Sequence, residues 1–255
     1  VNFLKAIDLK KASGLPIKLI ENKLVFGKGM EKIEPDIRTR EQMLPVLKNP
    51  DFASPKEFYY MYRDVKLKKD EKKLMENNVR YDITVLPPFL IGDEFNKTFG
   101  HFHPKVPGTE TWYPEVYEVL HGTAHYLLQK ENEMVVFDAR PGDKCIMLPG
   151  YGHITVNPSK ETLVMANLVC PEFKSDYEPI KMLKGGAYYE TINGFVKNKN
   201  YSKDVLIKII EPKQFHDFGI TKKPLYKEFS SDPKNFLWLS KPQQFIQKFA
   251  EYNKK

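Results

Sequence analysis

Only Cys145 and Cys170 occur in this chain of 255 residues, so no disulfide framework is expected. No stretch approaches the ~18 consecutive apolar residues of a membrane helix, and a membrane span is not expected either. The start, Val1-Asn2-Phe3-Leu4-Lys5, lacks the apolar core and small-residue cleavage site of a secretion signal. These absences point to a cytoplasmic protein. Internal repeats and low-complexity blocks are missing, as are zinc-finger, RNP and helix-turn-helix signatures. Nucleic acid is therefore not an expected partner, even though 40 Lys and Arg against 33 Asp and Glu leave a net charge of +7. The densest basic stretches, 66–73 and 197–203, read as solvated turns. An anionic small molecule stays open as a partner.

Apolar residues make up 41% and aromatics 13%, enough for a sizeable core, and 29% charged residues suit a soluble surface. From about residue 57 to 210 the signals are mainly β. Short runs rich in branched and aromatic residues at 58–62, 81–86, 116–119, 124–128, 134–137, 145–148 and 162–169 predict strands. Pro87-Pro88, Gly92-Asp93, Glu131-Asn132, Pro141-Gly142-Asp143 and Asn157-Pro158 punctuate them. Many short strands with turn signals between them describe a sandwich or barrel. Residues 1–50 read as a β extension packing on that barrel, and 51–210 as the barrel itself. Residues 211–255 read as a helical tail. Within it, Pro242 opens a helix that places Phe245, Ile246 and Phe249 on one face, with Leu237 and Trp238 tucked alongside.

Chemistry concentrates around three of the six histidines. In Gly100-His101-Phe102-His103 the two imidazoles share a face if the segment is a strand; an isolated HxH is weak evidence alone. Glu115 and Tyr117 share a face by the same rule. Pro149-Gly150-Tyr151-Gly152 is a tight corner delivering His153, with Asn157 four positions on. Three imidazoles and a carboxylate suit a divalent first-row metal with open coordination positions. Taken one at a time, each histidine could be a hydrogen-bonded core residue and Glu115 a surface carboxylate.

Jointly, these segments resemble the two sequence motifs of the cupin superfamily, a double-stranded β-helix or jelly-roll barrel. Thr98 to Lys105, Pro114-Glu115-Val116-Tyr117 and His153 to Asn157 are most similar to archaeal-type cupin phosphoglucose isomerases. The resemblance runs from about Tyr59 to Tyr177. It implies an all-β cupin barrel and metal ligation by His101, His103, Glu115 and His153. His121, His125 and His216 fall outside the ligand pattern. The chain departs from the pattern in four places. Eleven residues separate His103 from Glu115, against three or four in most cupins, which makes Glu110 the runner-up carboxylate. Leu148 replaces a common Pro, Gly150 stands where a Tyr is usual, and Ser175 where a His is expected.

By the same resemblance the chain interconverts glucose 6-phosphate and fructose 6-phosphate with one divalent ion per subunit, Fe first and Mn, Ni or Zn as alternatives. Glu115 is the expected catalytic base for a proton route, with Tyr117 beside it on the sugar hydroxyls, and a metal-assisted hydride shift is the competing route. Tyr59, Thr84, Thr98, the Gly100 N–H and Tyr177 are the expected substrate contacts. On a straight strand Thr98 faces away from His101, so a bulge at Gly100 is required. A homodimer is expected, because an exposed barrel edge needs covering. Two other readings share the ligand set: a cupin dioxygenase, and a sugar-phosphate-binding cupin without catalysis.

Overall fold

A computed structural model describes residues 6–52, 54–212 and 218–252. Val1 to Lys5 and His216 lie outside the described residues. Six strands form one antiparallel sheet in the order Lys144–Met147, Glu115–His121, Leu163–Val169, Arg80–Leu86, Glu57–Tyr62 and Asp36–Thr39. A second sheet of Gly152–Val156, Ala124–Lys130, Glu133–Ala139 and Leu206–Ile210 faces it, its last pair parallel. The chain crosses from Glu133–Ala139 in the second sheet to Lys144–Met147 in the first, then back to Gly152–Val156. Side chains from both sheets, among them Tyr117, Val119, Met165, Tyr126, Leu128 and Ile154, fill the interior. This is the all-β cupin barrel that the sequence predicts, and each of the seven predicted strands is present within one or two residues of its expected ends.

Alternation along these strands creates two unlike faces. On the six-stranded sheet, Tyr81, Ile83, Val85, Val116, Leu120, Val164, Ala166 and Leu168 point outward into a second apolar cluster. Both chain ends cover it: Ile17, Leu19 and Leu24 from the small sheet Ile7–Asp8, Ile17–Ile20 and Lys23–Phe26, Leu9 and Leu15 beside its first strands, and Phe229, Phe236, Trp238 and Phe249 from the tail. The barrel sheet starts upstream of residue 51, since Asp36–Thr39 pairs with Glu57–Tyr62 along its edge.

Two local expectations need correction. The tail helix does not run from Pro242. A 3-10 turn, Pro242–Gln244, ends at Phe245 (φ −125°), and a new helix, Ile246–Tyr252, begins. The break turns Ile246 outward, 54% exposed, while Phe249 stays buried. The basic stretch at 66–73 is no solvated turn either: it is Lys68–Asp70 followed by the helix Glu71–Glu76, with Lys66 paired to Asp64 and Glu71.

Candidate metal centre and pocket

The Gly100-His101-Phe102-His103 segment is not a regular strand. Two isolated bridges, His101 to His153 and Phe102 to Asp176, hold it across the mouth of the barrel. Gly100 explains the departure. Its φ of +85° belongs to the left-handed region, and a Cβ there would lie 2.4 Å from Ile154 Cγ1. This kink removes the parity conflict, since Thr98 and His101 line one pocket.

His101, His103, Glu115 and His153 converge, with one ligand atom from each lying within 4.8 Å of all the others. Glu115 opens the strand Glu115–His121 and points into the barrel. His153 comes from Gly152–Val156 in the facing sheet. Glu110, the runner-up carboxylate, is exposed on the long loop, paired with Lys105, and outside the cluster. His121 and His125 are also elsewhere. His121 Nδ1 bonds the Thr162 carbonyl at 2.8 Å, and His125 lies between Glu190 and Asp138.

Local contacts set the protonation and aim of these groups. His103 Nδ1 lies 3.0 Å from the Tyr113 carbonyl, which can only accept. The proton is therefore on Nδ1, and the Nε2 lone pair faces the centre. Phe173 packs at 4.5 Å on the His103 ring and at 4.7 Å on Tyr113, fixing that edge. Burial lowers the pKa of His101, reinforced by His153 and His103. Burial also lowers that of His153, against the opposing pull of Glu115. For Glu115, burial alone would raise the pKa, but His103 and His153 outweigh it and hold the carboxyl well below its ordinary range. His101 and His153 are thus biased toward the neutral imidazole beside an ionised carboxylate.

Asn167, absent from the sequence-based set, donates from Nδ2 to Glu115 Oε1 at 2.6 Å. Oε2 then points at His153 Nε2 (3.3 Å) and His103 Nε2 (3.4 Å) without a hydrogen bond, and His153 Nε2 is likewise unpartnered. Leaving buried polar atoms unpaired costs about 1–3 kcal/mol each. A divalent cation among these four residues would satisfy them, so the donor set fits a metal ion.

The pocket beside the cluster is lined by Tyr59, Met61, Arg63, Thr84, Thr98, Gly100, His101, Tyr117, His153, Met165, Asn167 and Tyr177, so every expected substrate contact borders it. Tyr59 Oη accepts from Arg38 Nε and from the Phe99 N–H, both at 3.2 Å. Thr98 Oγ1 accepts from the Thr155 N–H at 2.9 Å. Among the described residues these two hydroxyls, that of Thr84 and the Gly100 N–H have no acceptor, and all four residues line the pocket. Burial pushes the Tyr117 phenol well above its usual pKa, with Glu115 adding to the effect, so it keeps its proton. Asn157, expected in register with His153, lies past the strand end. Its amide holds the Leu86 and Glu161 carbonyls, a structural task. At the other departures from the pattern, Gly150 packs under Trp112 and Ser175 lies beside Asp176 outside the pocket lining.

A glucose-6-phosphate isomerase from Thermococcus litoralis is 31% identical over 111 residues, 43% of this chain and 56% of that one. The enzyme of the same name from Thermococcus kodakarensis is 31% identical over 127 residues, 49% and 63% of the two chains. The chain thus matches little more than half the length of these curated relatives. Among solved structures, a Lactobacillus farciminis oxalate decarboxylase formate complex overlaps 51% of this chain and 34% of its own, at 18% identity and a TM-score of 0.37. The model of the family described as glucose-6-phosphate isomerase (GPI) matches residues 38–206, well over half of the chain and all of the site, and the chain belongs to that family.

Proposed function

We propose that this protein is a metal-dependent aldose–ketose isomerase interconverting glucose 6-phosphate and fructose 6-phosphate. The observation that carries the reading is a single pocket with two unlike ends. One end is a buried three-imidazole, one-carboxylate cluster. The other is a wall of hydrogen-bond donors without acceptors. The first suits the hydroxyl and carbonyl oxygens at C1 and C2 of a sugar, and the second suits a phosphate.

His101, His103, Glu115 and His153 would hold the ion. When bound, a divalent cation supplies positive charge to the oxygen that becomes negative as hydrogen moves between C1 and C2. Glu115, kept ionised, takes the proton from one carbon and returns it to the other. Asn167 holds Oε1 during that exchange and fixes the plane of the carboxylate. Tyr117, which keeps its proton, donates to a sugar hydroxyl. Tyr59, Thr84, Thr98 and the Gly100 N–H donate to the phosphate oxygens, while Tyr177 closes the wall against His101 at 5.3 Å. Iron is the proposed native metal. The catalytic unit is the barrel, 51–210 together with the edge strand Asp36–Thr39, flanked by the rest of the 1–50 extension and by the 211–255 tail. The protein works as a cytoplasmic homodimer, a reading supported by Leu206 and Ile209, 68% and 61% exposed on an edge strand.

Incubating the metal-loaded protein with fructose 6-phosphate tests the reading. Glucose 6-phosphate should form at equal rates in air and under argon. Absence of product, or a product that needs oxygen, would contradict it.

A further inference from the structure

The pocket contains one charged group that the mechanism above does not use. Arg63 directly follows the strand Glu57–Tyr62, and the register that pairs Tyr62 with Ile83 sets it beside Asp82. Asp82 is 1% exposed. Arg63 Nη1 donates to its Oδ2 at 3.0 Å, Arg80 donates to both oxygens at 2.8 Å, and the Asp64 N–H donates to Oδ1 at 2.9 Å. One buried carboxylate is therefore saturated by two guanidiniums, and one positive charge is left over. Asp36, the next carboxylate, is 3.8 Å from Arg63 Nε and 72% exposed, so water screens it.

Arg63 borders two spaces, the substrate pocket and a surface groove lined by Glu31, Asp64, Lys66 and Glu71. Arg63 lines the same pocket as Tyr59, Thr84, Thr98 and Gly100, and its side chain is 39% exposed. One nitrogen, Nη1, is anchored on Asp82, and Nη2 lies 3.2 Å from Met61 Sδ. A pre-oriented guanidinium loses little freedom on meeting an oxyanion, which is why arginine suits planar, two-point recognition of phosphate.

We propose that Arg63 is the specificity-determining cation of this pocket, reading the anionic group of the substrate and restricting the site to phosphorylated sugars. The identity of the substrate rests on the isomerase reading, whereas the anion site does not. Asp82 acts through Arg63, anchoring one nitrogen of its guanidinium.

Steady-state kinetics with fructose 6-phosphate, competition by inorganic phosphate, metal content and melting temperature are to be measured on metal-loaded wild type, Arg63→Gln and Arg63→Lys. Loss of a charge-assisted contact should raise KM and the phosphate inhibition constant by about 10- to 100-fold in Arg63→Gln. Its kcat should stay within a few-fold, its metal content should not change, and Arg63→Lys should recover part of the loss. If Arg63→Gln melts early, Arg63→Lys still decides the matter: it must bind phosphate more weakly than wild type. Unchanged KM and phosphate inhibition in both variants would overturn the role of Arg63 and leave the isomerase reading intact. If wild type fails to turn over fructose 6-phosphate, the isomerase reading falls. Calorimetry with inorganic phosphate then decides Arg63 alone: binding lost in Arg63→Gln supports the role, and no binding by wild type overturns it.

Discussion

Glu115 and Glu118 sit three residues apart on one strand, face opposite sides of one sheet, and are both buried, yet their surroundings drive them in opposite directions. Glu115 looks into the barrel, where His103 and His153 hold it ionised. Glu118 looks outward into the apolar layer under the chain ends. Burial pushes its pKa up to about 7 against the pull of Lys144 at 3.1 Å and the Leu225 N–H at 2.9 Å, and Glu228 adds to the rise. The inner face spends buried polar groups on a site that a ligand completes. The outer face uses its few to pin the tail, through Glu118 to Leu225 and through Lys144 Nζ to the Thr221 carbonyl at 3.0 Å.

The comparison breaks if substitutions on the two faces have the same consequence. The largest effect belongs to the inner face. Glu115→Gln should keep most of its metal, because three imidazoles remain, while turnover falls by about 10²–10⁴-fold. His101→Ala should lose metal and turnover together. Elemental analysis beside the isomerase assay separates the two. On the outer face, Trp238, 1% exposed among Phe218, Phe236 and Phe249, should act on stability alone. Trp238→Ala should cost about 3–5 kcal/mol in denaturant unfolding, with turnover per folded molecule unchanged.

A smaller effect sharpens the contrast through pH. Glu118 titrates near 4.5 when unfolded and about 7 when folded, so the folded state binds its proton more tightly. Its contribution to stability is fully present below pH 4.5 and is lost as pH rises through 7. Glu118→Gln removes that dependence, so the wild type should lose about 3 kcal/mol relative to the variant between pH 4.5 and pH 8. Unfolding curves at several pH values read this directly, and a constant difference would refute the assigned environment. The smallest effect is expected at Glu110, exposed on its loop. Glu110→Gln should change stability by less than about 0.5 kcal/mol, and metal content and turnover not at all.

Much of the barrel is legible in the sequence, because branched and aromatic runs between Gly and Pro turns carry the period of two directly. Asp36–Thr39 is harder to read: it is a short edge strand with no fully buried side chain. The tail helix misleads because Phe245 sits at a break that composition does not mark. At the site, the histidines and Glu115 stand out by motif. Asn167, Arg63 and Phe173 do not, because their meaning depends on register between strands far apart in sequence: Asn167 faces both Asp82 and Tyr117 only after three strands align. A lone amide within the apolar run Leu163–Val169 was the available signal.

On the proposed function, the inner-face cluster needs a metal ion to act. The most direct measurement strips the protein with a chelator, restores a divalent ion in steps, and follows bound metal and fructose 6-phosphate turnover on the same samples. Turnover should vanish in the stripped protein and climb in proportion to bound metal, saturating at one ion per chain. Full turnover in metal-free protein, or metal binding that survives loss of His101, would contradict the account.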